Sequence, residues 1–151
     1  MAHQITYPNL PQRLLKARDS LMAHFRPILN HFGVTEQQWR ILRSLDEHGQ
    51  LEPRELCDMC QISSPSMAGV LARMEELGML ARARMEEDQR RVTVRISKQG
   101  RALLARIAPL IDQQYALIEE ACGKQVFKDL FKVLEDFIEL KKRPVKAVEL
   151  P

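Results

Sequence analysis

The chain has 151 residues, of which 45% are hydrophobic and 28% are charged, a balance that fits one globular domain and excludes a disordered chain. No segment approaches the roughly 20 consecutive apolar residues of a membrane span, and the N-terminus lacks the features of a signal peptide. Net charge is only +3, yet residues 82–104 carry seven basic and three acidic side chains, and this local cluster points to an acidic partner such as nucleic acid.

The first 50 residues predict two helices. Apolar residues recur at helical spacing over 9–32, and Gly33 is suited to end this first helix. Thr35 and Gln38 then form a capping-box pattern, which predicts the start of a second helix that Gly49 stops.

A helix-turn-helix pattern follows. Pro53 fits the first turn of a short third helix. Ser64 as N-cap and Pro65 as first helical residue predict a fourth helix that ends at Gly78. Two short helices with a tight link, the second longer and well capped, are typical of this motif. The side chains that we expect to face inward are Leu56, Met59, Cys60, Met67, Val70, Leu71, Met74 and Leu77.

Residues 80–84 and 92–96 predict a β-hairpin. In the second strand, Val92, Val94 and Ile96 alternate with Thr93 and Arg95, which indicates one buried and one exposed face. The connection contains no Asn-Gly or Asp-Gly pair, so we expect a long, flexible tip rather than a tight turn.

The remaining chain predicts two more helices. Ser97 caps a fifth helix that runs to about Cys122, and Gly123 separates it from a last amphipathic helix. The sequence therefore predicts a mainly α protein with a small β-hairpin. We expect one domain over 1–151, made of a winged helix-turn-helix lobe (34–100), helical segments (9–33 and 101–141) and a loose tail (142–151).

The fourth helix carries candidate DNA contacts. Ser63, Ser64 and Ser66 supply hydroxyls at its N-terminus, and Arg73 supplies a long cationic side chain. A helix that enters the major groove needs small residues near its N-terminus so that the backbone can approach base edges. An ordinary capped surface helix would look the same, so this helix alone does not decide between the two interpretations.

The basic hairpin favours DNA binding. An arginine at a hairpin tip can enter the narrow minor groove of A·T-rich DNA, and Asp88 is spaced to hold Arg90 by a charge-assisted hydrogen bond. A helix-turn-helix followed directly by a basic hairpin is rarer than a solvated charged hairpin alone. The hairpin residues that we expect to contact DNA are Arg84, Arg90 and Arg91.

The segment 35–100 resembles the MarR family of winged helix-turn-helix regulators. The resemblance rests on the Ser63-Ser64-Pro65 helix start, on 71–80 (LARMEELGML), on Asp88-Gln89-Arg90 and on 94–100 (VRISKQG). Met74 replaces a more usual leucine and keeps the position apolar. Ser97 replaces a more usual threonine and can still cap a helix. Within the family, the N-terminal segment is similar to repressors of homoprotocatechuate degradation.

The resemblance implies a homodimer formed by the first, fifth and sixth helices, which would read a pseudo-palindromic double-stranded operator. It also implies a repressor that an aromatic acid, such as 4-hydroxyphenylacetate or homoprotocatechuate, releases from DNA. The side chains that would line such a pocket are Arg18, His24, Phe25, Trp39 and Arg40. Each has a plainer interpretation, with Trp39 as a core residue and Arg40 as a surface charge.

Other functions have weaker support. Cys57 and Cys60 lack a second Cys or His pair at zinc spacing, so we expect inert thiols, no metal and no cofactor. No catalytic motif is present, so we expect no enzyme activity. A different signal, such as another phenol or thiol oxidation, and a winged helix that binds protein rather than DNA remain the alternatives.

Replacing Arg90 tests the predicted hairpin contact. We expect Arg90→Ala to weaken operator binding strongly while leaving the dimer intact, because Arg90 lies on the hairpin and outside the helices that we expect to form the dimer. Binding is measured by fluorescence anisotropy at fixed salt, and the dimer by sedimentation. Unchanged operator affinity would contradict the assignment of the hairpin tip.

Overall fold

The computed structural model describes residues 4–151, so the first three residues of the predicted domain lie outside the described part. The chain divides into two compact units, one that ends at Ile111 and one over Asp112–Pro151. The predicted class, mainly α with one hairpin, is confirmed. In chain order the elements are α1 (Leu10–His31), α2 (Glu36–His48), α3 (Pro53–Cys60), α4 (Ser64–Glu76), β1 (Leu80–Arg84), β2 (Val92–Ile96), α5 (Lys98–Cys122) and α6 (Lys124–Ile138).

Side-chain caps set the starts of the first two helices. Asn9 accepts a hydrogen bond from the Gln12 amide (3.1 Å) at the start of α1. The predicted capping box of α2 is confirmed, since the Gln38 amide donates to Thr35 and the Thr35 amide donates to the Gln38 side chain. These caps satisfy backbone donors that a helix start leaves without an intrahelical partner.

The core of the first unit lies where α2, α3, α4 and β2 meet. Apolar side chains on one face of each element fill it, which is the usual way that amphipathic helices gain stability. The fully buried side chains are Leu29, Ile41, Leu42, Leu45, Leu56, Met67, Leu71, Met74, Val94 and Ile107.

Two side chains expected in this core are exposed instead. Met59 is 43% exposed because the buried edge of α3 runs through Leu56 and Cys60, one helical turn apart. Leu77 is 44% exposed because α4 ends at Glu76, so the helical spacing does not extend to it. The expectation that both face inward is wrong.

The wing (residues 80–96, formed by β1, its tip and β2) receives a third, one-residue strand. β1 and β2 pair antiparallel with Leu80 opposite Ile96, and Leu51 pairs with Val94 on the other side of β2. Thr93, expected on the exposed face, is buried. Its hydroxyl accepts from Gln50 and donates to the Ala83 carbonyl (3.3 Å), so its polar group is satisfied.

Close backbone packing holds the start of α5 against the turn before β1. Gly78 has a φ of +75°, and a Cβ on Gly100 would lie 2.0 Å from the Met79 carbonyl oxygen. The Ser97 hydroxyl donates to the Gly78 carbonyl and accepts from the Gly100 amide, which confirms Ser97 as the cap of α5. A larger residue at position 100 would therefore have to displace backbone.

The second unit contains α6, none of whose residues is buried. Ring contacts join Tyr115 to Phe127 and Phe127 to Phe131. One strip of α6 exposes large apolar side chains, which are Val126, Leu130, Phe131, Val133, Leu134, Phe137 and Ile138. Within residues 4–151, no helix is long and apolar enough to span a membrane.

A pair of substitutions in α3 tests the core assignment. Leu56→Ala is expected to lower the free energy of unfolding by about 2–5 kcal/mol, because it empties a fully buried site. Met59→Ala is the matched control and is expected to cost under about 1 kcal/mol. Chemical denaturation measures both, and equal losses would contradict the different burial of the two side chains.

Candidate nucleic-acid interface

The N-terminus of α4 presents small hydroxyl side chains to solvent. Gln61 adopts a left-handed conformation (φ 51°) and turns the chain from α3 into α4. Ser63, not Ser64, is the N-cap, because its hydroxyl accepts from the Ser66 amide (3.4 Å) and donates to the Ser66 hydroxyl (3.0 Å). Ser64 is the first helical residue and Pro65 the second, so the predicted cap is corrected by one position.

The face of α4 beyond these serines is open. Gly69 is exposed, and a Cβ built there would meet no atom within 4 Å. Arg73 is exposed one turn further and pairs loosely with Glu76 (3.3 Å). Ser63, Ser64, Ser66 and Arg73 are thus all exposed at the N-cap or along α4, whose other side is buried in the core.

β1 is attached to the C-terminal half of α4 by an ion pair. Both guanidinium nitrogens Nε and Nη2 of Arg82 donate to the carboxylate of Glu75, at 3.4 and 3.2 Å. A shallow cavity of about 300 Å³ beside this pair is also lined by Ala83, Arg84 and Val92. This side of β1 is therefore open to solvent.

The seven-residue tip of the wing, 85–91, is long as predicted, and its residues hydrogen bond to one another. The Met85 amide donates to the Arg91 carbonyl (2.9 Å), and the Arg84 guanidinium donates to the Gln89 carbonyl (2.6 Å). Arg84 therefore stabilises the tip, although its side chain is exposed.

Arg90 is the most exposed arginine of this tip. Its side chain is 92% exposed, and Asp88 accepts hydrogen bonds from its amide (3.0 Å) and its Nε (3.2 Å). The predicted contact between Asp88 and Arg90 is present. The backbone and side-chain hydrogen bonds from Arg90 lower the pKa of Asp88 below its ordinary value, so this carboxylate stays charged and aims the guanidinium outward.

Arg91 points back toward the lobe. Its Nε lies 2.5 Å from the Glu52 carboxylate at the start of α3, and this hydrogen bond lowers the pKa of Glu52. Glu52 is only 14% exposed, whereas Arg91 remains 53% exposed. Sequence reasoning missed this pair, because 39 residues separate its members and no local pattern links them.

A second cluster, which sequence reasoning also missed, joins α1 to the first residue of α2. Glu36 accepts hydrogen bonds from Arg18 (3.2 Å) and Arg26 (2.5 Å), and Arg26 also donates to Asp19 (2.6 Å). The Arg26 hydrogen bond lowers the pKa of Glu36. The seven-residue spacing of Asp19 and Arg26 on one helix face was the one signal available for it.

The other candidate effector contacts have different surroundings. Phe25 and Trp39 are buried, whereas His24 is exposed. The Arg40 guanidinium donates to the Cys60 carbonyl at the end of α3 (2.5 Å), and its Nε is buried with no hydrogen-bond partner in the described structure. Of the five residues, the structure ties Arg18 and Arg40 to neighbouring elements.

Of the two cysteines of α3, Cys60 has little reactive character. Cys60 is buried, and burial raises the pKa of its thiol, which disfavours the reactive thiolate. The Ser44 hydroxyl lies 3.4 Å from its sulfur. No three His, Cys, Asp or Glu side chains in residues 4–151 are grouped as they would be around a metal ion.

Comparison with known proteins identifies the family. The MarR family model matches residues 32–91. The chain is 38% identical to the HTH-type transcriptional regulator FarR of Neisseria gonorrhoeae, over 89% of this chain and 94% of the relative. It is 37% identical to the homoprotocatechuate degradative operon repressor of Escherichia coli, over 89% of this chain and 90% of the relative.

A solved structure agrees with these sequence relatives. NadR in complex with 4-hydroxyphenylacetate superposes with a TM-score of 0.79 at 36% identity, over 91% of this chain and 97% of NadR. The family consists of transcription regulators rather than enzymes. With an exposed helix start, a basic wing and relatives that align along nearly its full length, the chain belongs to the MarR family of DNA-binding transcriptional regulators.

Proposed function

We propose that this regulator is a homodimeric repressor of an operon for degradation of a hydroxylated aromatic acid. It binds a pseudo-palindromic operator, and an aromatic carboxylate such as 4-hydroxyphenylacetate or homoprotocatechuate releases it. The observation that carries the DNA-binding part is the geometry of the interface. An open, serine-rich start of α4 stands in the same lobe as a wing whose tip exposes Arg90.

The DNA contacts divide into two kinds. Ser63, Ser64 and Ser66 are placed to contact base edges or phosphates at the N-terminus of α4, where free amides also favour anions. Arg73 and Arg90 extend from exposed positions toward either groove. Arg84 and Arg91 remain part of the proposed interface, although the partner that each already has within the protein limits its direct contact with DNA.

The dimer is supported by the apolar strip of α6. A 15-residue helix with no buried residue gains little stability from packing against its own chain. Its exposed phenylalanine and leucine side chains would leave a large apolar surface in contact with water. A second copy of the same helical region would cover them. We therefore propose segments 9–33 and 101–141 for dimerisation, with 34–100 as the DNA-binding lobe and 142–151 as a tail.

The effector class is supported by the relatives. One is a homoprotocatechuate operon repressor, and another was solved with 4-hydroxyphenylacetate. Arg18, His24, Phe25, Trp39 and Arg40 remain the proposed pocket residues, because they combine aromatic surface with cations that a carboxylate needs. The buried position of Cys60 and its raised thiol pKa make oxidation at this cysteine a weaker alternative.

A binding titration tests this proposal. Anisotropy is measured against the chain's own upstream intergenic DNA and against a random duplex of equal length, at two salt concentrations. We expect tight, salt-sensitive operator binding, at least about 1,000-fold tighter than to random DNA. Equal affinity for the two duplexes would contradict operator recognition.

The effector is tested in the same titration with matched compounds. We expect 4-hydroxyphenylacetate to weaken operator binding at least about tenfold, because it binds the DNA-free state more tightly. The alcohol of the same skeleton, which lacks the carboxylate, is the control and is expected to have little effect. An operator affinity that no aromatic acid changes would contradict the proposed effector class without contradicting DNA recognition.

A further inference from the structure

The segment that joins α2 to α3 is attached to the wing by three consecutive residues. Gln50 bonds to the Thr93 hydroxyl, Leu51 exchanges two backbone hydrogen bonds with Val94 (3.0 and 2.7 Å), and Glu52 holds Arg91. The first two attachments lie along β2 itself. The third reaches the point where the tip returns to β2, so it is the attachment nearest to the exposed end of the wing.

Arg91 connects the tip to this attachment through both its backbone and its side chain. Its amide donates to the Asp88 carbonyl (3.0 Å), and its carbonyl accepts from the Met85 amide (2.9 Å). Its guanidinium binds Glu52 at 2.5 Å. Among residues 4–151, the side chain of Arg90, its neighbour in sequence, bonds to Asp88 of the same tip. The place of Arg90 relative to α4 therefore depends on how firmly Arg91 is held.

Glu52 is suited to this role by its own surroundings. It precedes α3 directly, and its amide donates to the Glu55 carboxylate (3.0 Å), so its backbone is anchored to the helix start. Its side chain is mostly shielded from water. Arg54, the other cation nearby, lies 3.9 Å from Glu52 and is almost fully exposed, so it is a weak competitor for the carboxylate.

We propose that the Glu52–Arg91 ion pair is a positioning contact that holds the wing tip at a fixed place relative to α4, and that this makes binding selective for the operator over random DNA. The proposal rests on the proposed DNA-binding function. A fixed tip allows Arg90 and the serines of α4 to meet one DNA site together, whereas a loose tip binds phosphates anywhere. Pairing Arg91 also withdraws one cation from nonspecific contacts.

This role differs in its consequences from a direct contact of Arg91 with DNA. If Arg91 contacts phosphate directly, Glu52→Gln frees it and strengthens binding to every duplex. If the pair positions the tip, Glu52→Gln raises affinity for random DNA modestly but lowers affinity for the operator. The deciding quantity is the ratio of operator affinity to random-duplex affinity at one salt concentration.

The test is a double-mutant cycle with Glu52→Gln, Arg91→Gln and the double variant. We expect each single variant to lower the affinity ratio about tenfold, and the double variant to lower it no further, because all three lack the same contact. An affinity ratio that Glu52→Gln leaves unchanged or raises would overturn the positioning role.

Two matched variants control for charge. Glu86→Gln removes the same charge from an exposed position of the tip, and Arg54→Gln removes a cation near Glu52. Each is expected to change both affinities alike and to leave their ratio within about twofold. If Glu86→Gln lowers the ratio as much as Glu52→Gln does, charge alone accounts for the effect and the proposal is overturned.

Hydrogen exchange in the free protein separates this inference from the proposed function. We expect the amides of Met85 and Arg91 to exchange faster in Glu52→Gln than in the parent, with the core amides of α2 unchanged as the measure of intact folding. Unchanged exchange at the tip would overturn the inference, whatever the result of the DNA-binding measurements. If tip exchange is faster in Glu52→Gln but the parent protein shows no preference for its operator, the proposed function is contradicted instead.

Discussion

The attachment of the α2–α3 connection to β2 is the constraint on which the rest of the interface depends. Leu51 adds a third strand to the hairpin through two backbone hydrogen bonds to Val94, whose side chain is fully buried in the core. A two-stranded hairpin alone is marginally stable in water. With this third strand the wing becomes part of the same folded lobe as the helix-turn-helix, so the core that orients α4 also orients the wing.

Ion pairs and hydrogen bonds within the lobe determine which of its arginines are free to contact a ligand. Glu75 holds Arg82, Glu52 holds Arg91, and the Gln89 carbonyl accepts from Arg84. The exposed Arg82–Glu75 pair adds little to stability, but all three contacts decide which arginines remain free. The Arg90 side chain is 92% exposed, and its partner Asp88 belongs to the same tip. A DNA phosphate can therefore compete for Arg90 without pulling the wing away from the lobe.

Sequence reasoning succeeded where the signal is local. The capping box of Thr35 and Gln38 and the hairpin strands were predicted because each pattern spans a few residues. It failed where the deciding contact is distant. Thr93 looked exposed by alternation, yet Gln50 covers it, and the partner of Arg91 lies 39 residues away. The end of α4 was also mispredicted, since helical spacing alone predicted a buried Leu77, whereas the helix ends at Glu76.

The same distinction explains why candidate DNA contacts could be proposed from sequence more readily than effector contacts. Small hydroxyl residues before a helix predict where its N-terminus lies, because the preference for an N-cap residue depends only on neighbouring residues. A cation has no such local signal, and its availability depends on its partners in the fold. Arg18 is held by Glu36 and Arg40 by the Cys60 carbonyl, so Arg18 links α1 to α2 and Arg40 links α2 to α3. An aromatic carboxylate that competed for either guanidinium would weaken such a link, which would be a physical route from effector binding to a shift of the DNA-binding helices.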